Sequence, residues 1–265
     1  MSAPASTVVV FAHNEERRIA ACLDSILAAE PGRAFDVYVM ANGCTDRTEE
    51  IVVHYGRRHP EVHLVSIALG DKCNAWNVSV HETIPRLCAG RDIYFFMDGD
   101  ARAVAGSFSA MERALRARPH AHAAAAMPAS GRSAVQAQKD FLRQRGLHGN
   151  LYALRGSFVE LLHARSVRMP LNLEGDDGLV GALAKWDLLP DCNEADDQRI
   201  VPCEDAGFEF ESLSPLRPRD WQVFWTRAIR YGRRRYEFEL LNPELKRRGV
   251  SALPADIPIP CGRCR

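Results

Sequence analysis

The chain carries no surplus charge, no long apolar run and no regular cysteine spacing, and each of these shortages excludes a class of protein. Thirty-four Lys and Arg balance thirty-four Asp and Glu over 265 residues, so no overall field draws in a polyelectrolyte such as bulk nucleic acid. The opening MSAPASTVVVFAHNEE has no basic stretch ahead of its apolar run, and VVVFA is too short for the core of a signal peptide or for a membrane span. Eight cysteines are scattered without a disulfide pattern, which predicts reduced thiols and a cytoplasmic protein. There is no internal repeat. With 46% hydrophobic residues the chain has ample material for a full core.

What is present is an alternation of buried strands and amphipathic helices. Residues 7–12 (TVVVFA) read as a strand, followed by a helix with Ile19, Cys22, Leu23, Ile26 and Leu27 on one face. Pro31 and Gly32 stop it, and residues 35–40 (FDVYVM) give a second strand, then 45–56 a second helix with Thr45 or Asp46 as its N-cap. A third strand is predicted over 62–67, a helix over 73–87, and a fourth strand over 92–97 that runs into Asp98. Helices are predicted over 103–118, 136–147, 179–186 and 219–241, with 121–129 (AHAAAAMPA) extended and 152–162 ambiguous. Strands alternating with helices imply a mostly parallel central sheet flanked by helices, an α/β fold. In such sheets ligands gather beyond the carboxyl ends of the strands. His13, Asn14 and Glu15, the segment from Asn42 to Asp46, and Asp98 to Asp100 all follow strands at that edge. Three regions are expected: 1–215 as the catalytic domain, 216–249 as a basic helical element closing the site, and 250–265 as a proline-rich tail.

Two acidic clusters carry the chemistry. Asp98-Gly99-Asp100 sets two carboxylates around a glycine directly after an apolar strand. Hard carboxylate oxygens suit Mg²⁺ or Mn²⁺, which bind through one or two carboxylates together with phosphate oxygens of a substrate. Glu174-Gly175-Asp176-Asp177 places three carboxylates within four residues ahead of the apolar Leu179, Val180 and Leu183. A helix start explains one acidic residue, whereas three at that density repel one another and point to a purpose beyond capping.

The ordered segments VVVFAHNEERRIAACLDSIL, MANGCTDRTEEI, GDKCNAWNVSV and FFMDGDA together resemble the family 2 glycosyltransferases of the GT-A fold. That resemblance implies an enzyme moving a sugar from a UDP- or GDP-type donor to an acceptor hydroxyl, by inverting single displacement and with a divalent metal. It implies nucleotide or donor contacts for His13, Asn14, Glu15, Asn42, Asp46, Lys72, Asn74, Asn77 and Asp98. It implies metal ligation by Asp98 and Asp100, and a catalytic base at Asp177 or Asp176, with Asp177 first. Glu174, Arg155, Arg230 and Tyr231 are expected at the acceptor or diphosphate. The segment from Trp225 to Gly232 resembles the family's Q-x-x-R-W element in degraded form, with Arg227 in the glutamine place and Tyr231 in the tryptophan place.

Each assignment has a plainer alternative. Asn14, Glu15 and Asp46 suit helix starts, and Lys72 suits a solvated surface. The Arg227 to Arg235 stripe is also suited to a nucleic acid or a peripheral membrane surface, as part of a non-enzymatic binding protein. A non-catalytic nucleotide-sugar binder is the third reading. Sugar-nucleotide synthesis would call for a glycine-rich loop after the first strand, and HNEERR stands there instead. Cys261 and Cys264 have zinc-ligand spacing but no second pair, so a zinc site would need Cys192 and Cys203 as well.

Overall fold

The structure is a computed structural model that describes residues 6–130, 134–210 and 218–258. The first half is a repeated strand and helix: β1 (Ser6–Ala12), α1 (Ile19–Ala28), β2 (Phe35–Asn42), α2 (Thr48–Gly56) and β3 (Val62–Ile67). Next come α3 (Lys72–Val78), a π-helical turn (Ser79–Thr83), α4 (Ile84–Leu87), β4 (Ile93–Asp98) and the short β5 (Ala101–Ala103). The second half holds α5 (Ser107–Arg116), β6 (Ala123–Pro128), α6 (Ala134–Gln144), β7 (Leu151–Arg155), α7 (Gly156–Ala164) and α8 (Asp176–Lys185). It closes with β8 (Ile200–Phe210), the long α9 (Pro218–Arg248) and a 3₁₀ turn (Gly249–Ala252).

These strands form one eight-stranded sheet in the order β3-β2-β1-β4-β7-β6-β8-β5. The first four strands are parallel, as are β6 and β8, while β7 runs antiparallel to both its neighbours. The expected mostly parallel sheet flanked by helices is therefore present. Alternation along β1 divides the core: Val9 and Phe11 enter one hydrophobic cluster, and Val8, Val10 and Ala12 the other. The first cluster is completed by Trp76, Phe158, Leu183, Leu241 and Leu245, the second by Leu23, Ile26, Val52, Phe108 and Met111. Both faces are covered, as a parallel sheet requires.

Several element bounds differ from the sequence reading. The second helix begins at Thr48 rather than residue 45, because the Asp46 carboxylate accepts from the Thr48 N–H at 3.0 Å and its hydroxyl at 2.6 Å, leaving residues 45–47 as the approach. The helix expected from residue 103 begins only at Ser107, because Ala103 closes the short strand β5, which pairs with the end of β8. The ambiguous 152–162 segment divides between β7 and α7. Strand β8 escaped the sequence reading: its charged Glu204 and Asp205 sit at a register shift, where Ala126 faces Cys203 and Met127 already faces Gly207. Helix α9 continues through Pro243 to Arg248, since buried Leu241 and Leu245 anchor the chain on either side of the proline. Among the described residues no helix is long and apolar enough to cross a membrane.

Candidate functional site

Parallel register brings the ends of β1, β2 and β4 level. Phe11 pairs with Asp98 across β1 and β4, and Ala12 with Ala41 across β1 and β2. His13, Asn42 and Asp98 therefore rise from one rim. The His13 Nδ1–H donates to the Asn42 carbonyl at 2.6 Å, leaving Nε2 as an acceptor, which Asn14 Nδ2 approaches at 3.4 Å. Asn14 adopts a left-handed backbone, with φ of 56°, and its Oδ1 accepts from the Thr45 N–H at 2.8 Å, tying the first loop to the second. Asn42 is buried and its Nδ2 donates to the Ala12 carbonyl at 2.8 Å. Asp46 spends its oxygens on Thr48 and on the Glu16 N–H, at 3.0 Å, so it serves the start of α2.

At the centre, the Lys72 ammonium lies 2.7 Å from Asp98 Oδ1 and 3.3 Å from Asp176 Oδ2. It joins the acidic motif after β4 to the acidic pair that opens α8. Burial alone would lower its pKa, but the charges of Asp176, Asp98 and Asp177 outweigh that and hold it well above the usual value. Lys72 is the first residue of α3, whose N-cap Asp71 accepts from the Asn74 N–H at 2.7 Å. The other Asp71 oxygen accepts from the Asn172 N–H at 2.7 Å, which draws the acidic segment toward the site. Asp176 and Asp177 are each only 7% exposed. Asp177 accepts from the Gly149 N–H at 3.0 Å and the Gly178 N–H at 2.8 Å, and pairs with Arg234. Burial and then the Asp176 charge raise the Asp177 carboxyl, against Arg234 and Lys72.

A second group of carboxylates sits on the other side of Asp98. Burial, opposed by Lys72 and reinforced by Asp100, pushes Asp98 up to about 6. Burial likewise pushes Glu15 up to about 7, with Arg18 opposing and Asp100 and Asp98 adding to it. Arg18 lies 2.7 Å from Glu15 and 3.7 Å from Asp100. Among the described residues no group of three or more His, Cys, Asp or Glu side chains stands ready to hold a metal unaided. Asp98 and Glu15 are raised by burial and by the neighbouring Asp100 charge, and a cation completed by phosphate oxygens suits that crowding of negative charge.

Two sequence-based assignments do not join this constellation. Arg155 pairs with Ile93, the first residue of β4, so it lies at the opposite end of that strand from Asp98. Its guanidinium donates to the carbonyls of Ala121, Leu115 and Arg118, capping the end of α5. β7 runs antiparallel to β4, so the end of β7 is remote from the rim and its beginning is near it. Asn77 is buried, donating to the Met169 carbonyl at 2.9 Å and accepting from the Met169 N–H at 2.7 Å, a clamp on the fold. Glu174 is close by, pairing with Arg230 at 2.9 Å and Arg233 at 3.6 Å. The side chains of Tyr231, Trp225 and Arg227, and the whole of Cys261 and Cys264, lie outside the described residues. Cys192 is exposed and Cys203 buried, both as free thiols.

Residues that the sequence did not single out complete the site. A Cβ at Gly149 would fall 2.6 Å from the Lys72 ammonium and 3.0 Å from Asp98 Oδ2, so any side chain there would push the lysine head out of its place. Arg234 reaches Asp177 from 57 residues away in sequence. No local pattern signals either contact. Part of the basic stripe turns inward: Arg233 and Arg234 are partly buried against Glu174, Glu237 and Asp177, while Arg230 reaches Glu174 from an exposed position and Arg235 is exposed.

Comparison with known proteins gives the fold and the family. The chain is similar to the solved structure of the mannosyltransferase PcManGT from Pyrobaculum calidifontis in complex with GDP-Man and Mn²⁺, at 20% identity and a TM-score of 0.60, over 83% of this chain and 60% of that one. It is similar to S. aureus TarS 1-349 in complex with UDP-GlcNAc, at 14% identity and a TM-score of 0.56, over 81% and 60% of the two chains. It is also similar to glucosyl-3-phosphoglycerate synthase from Mycobacterium tuberculosis in complex with Mn²⁺, UDP-Glc and phosphoglyceric acid, at 21% identity and a TM-score of 0.54, over 82% and 74%. The chain thus spans about 60% of the length of the first two. No curated protein matches it by sequence. These likenesses identify the fold as GT-A. The family model described as glycosyltransferase like family 2 matches residues 4–171, more than half of the chain, and the chain belongs to that family.

Proposed function

We propose that the chain transfers a sugar from a UDP- or GDP-type donor to an acceptor hydroxyl, by inverting single displacement, with Mg²⁺ or Mn²⁺. The observation that carries this reading is the line Asp98–Lys72–Asp176, with Asp177 beside it: one ammonium links the carboxylates on the donor side to those on the acceptor side. Asp98 and Asp100 would hold the cation, which when bound offsets charge on the diphosphate. Lys72 adds a point charge on the same group. His13 presents a flat ring and an acceptor nitrogen to the nucleobase, and Asn14, Asn42 and Asp46 keep the two nucleotide loops in register. Asp46 thus acts through the loop it caps. Glu15 lines the carboxylate cluster, and Glu174 with Arg230 borders the acceptor side.

Asp177 is the base. Its raised pKa brings its proton affinity closer to that of a base working near neutral pH. The acceptor oxygen attacks the anomeric carbon while its proton passes to the Asp177 carboxylate. The bond from that carbon to the diphosphate oxygen breaks, and its electron pair leaves with the nucleoside diphosphate. Asp176 holds Lys72 in place from the acceptor side. Asp177→Asn is expected to bind the donor as tightly as the wild type and to lose transfer by at least about a thousandfold, because shape is kept and the proton acceptor is removed. Full activity in Asp177→Asn, with activity lost in Asp176→Asn, would move the role to Asp176.

A further inference from the structure

Helix α9 docks on the segment that opens α8 through a continuous set of ion pairs. The Arg233 guanidinium lies against Glu237, which is 2% exposed, and donates to the Asn172 carbonyl at 2.7 Å. Glu237 in turn accepts from the Glu174 N–H at 2.8 Å. With the helix clamped in this way, the next arginine is delivered onto the acidic pair: Arg234 Nη2 lies 2.5 Å from Asp177 Oδ1. The surface beneath it is made of glycine. A Cβ at Gly175 would come within 2.9 Å of the Arg234 side chain and 3.0 Å of Phe238, and one at Gly178 within 2.9 Å and 3.0 Å of the same two residues. An arginine can lie over this turn because two side chains are missing from it.

We propose that Arg234 is the positioning residue of the transfer base, a guanidinium brought in on α9 that holds the Asp177 carboxylate charged and in one orientation. This rests on the assignment of Asp177 as that base. Arg234 Nη2 and the Gly178 N–H both meet Oδ1, and the Gly149 N–H donates to Oδ2. A carboxylate gripped at both oxygens has one orientation left, with one lone pair on Oδ2 open for the acceptor proton. Charge is the second contribution. The ionisable groups facing Asp177 are Asp176 on its own helix, Lys72 on α3 and Arg234 on α9. Lys72 is already shared with Asp98 and Asp176, so Arg234 is the cation that belongs to Asp177. His148, on the chain leading into β7, is kept neutral by burial and then by Arg234. It adds no competing positive charge at neutral pH.

Titration of the Asp177 carboxyl, followed by ¹³C NMR of aspartate-labelled protein with Asp177→Asn to assign the signal, tests this directly. Arg234→Gln is expected to raise the Asp177 proton affinity about tenfold or more, Arg234→Lys to restore part of it, and Arg235→Ala, which removes an exposed arginine of the same helix, to leave it unchanged. An identical Asp177 titration in the wild type, Arg234→Gln and Arg234→Lys overturns the proposal. If Arg234→Gln fails to fold, the lysine variant alone decides, since its shorter side chain keeps the charge but draws it back from Oδ1. In a transfer assay, Arg234→Gln is expected to lower kcat about 10- to 100-fold with the donor KM unchanged. A higher kcat would mean that the guanidinium obstructs the base. The titration needs neither donor nor acceptor, so its failure is distinct from failure of the transferase reading, which shows as a wild-type protein without turnover.

Discussion

Lys72 and Gly149 show how little space the centre of the site allows. The ammonium is held between Asp98 and Asp176, and the backbone at Gly149 passes where a methyl group would press on both Lys72 and Asp98. Gly149→Ala is therefore expected to weaken nucleotide binding at least tenfold while moving the melting temperature only slightly, since the flexible end of a lysine can give way at the expense of its geometry. Nucleotide titration alongside a melting curve separates the two effects. The carboxylates make a prediction about pH. Glu15 has a folded-state pKa of about 7, above its ordinary 4.5. The folded protein binds that proton more tightly than the unfolded chain, so the stability it contributes is present below about 4.5 and is lost as pH rises through 7. Glu15→Gln is expected to be more stable than the wild type at pH 8 and to lose that advantage by pH 4.5, as measured by urea denaturation at the two pH values. His148 has the opposite sign: its folded pKa is down at about 3, so its contribution is present above 6.5 and is lost as pH falls toward 3.

Among the elements, the ones legible in the sequence are those that a single local rule dictates. β1, β2 and β4 carry the apolar runs VVVFA, VYVMA and IYFFM, as strands buried on both faces must, and their ends name His13, Asn42 and Asp98 without further help. β8 obeys no such rule, because a register shift and two exposed acids interrupt it. The acidic pair was legible as a cluster, but α8 begins at Asp176 and so takes both aspartates into its first turn. Arg155 was expected at the site from the family resemblance alone, and β7 enters the sheet antiparallel to β4, which puts the Arg155 end of that strand away from the rim. Asn77 follows the family pattern yet is consumed by the fold: it closes both backbone groups of Met169 across 92 residues. Asn77→Ala leaves a buried N–H and a buried carbonyl without partners, so a loss of about 2–4 kcal/mol in unfolding free energy is expected from denaturant titration. An unchanged midpoint would return Asn77 to the list of donor contacts.

For the molecule as a whole, the sheet separates two groups of candidate site residues that share a rim. One face, with α1, α2 and α5, supports the loops that end in His13, Asn14 and Asp46, and the other, with α3, α8 and α9, supports Lys72, Asp176, Asp177 and Arg234. Asp98 and Asp100 stand where the faces meet, so a donor bound there would reach both. A ligand that binds only the folded state raises stability by about 2.7 kcal/mol at a hundred times its Kd. The decisive measurement is the melting temperature of the wild type, Asp100→Ala and Asp98→Asn with UDP or GDP, each with and without Mn²⁺. One nucleoside diphosphate is expected to stabilise the wild type strongly, only when Mn²⁺ is present, with the effect gone in Asp100→Ala and reduced in Asp98→Asn. Equal shifts with and without Mn²⁺, equal shifts in all three proteins, or no shift from either nucleotide would contradict donor binding through the two aspartates.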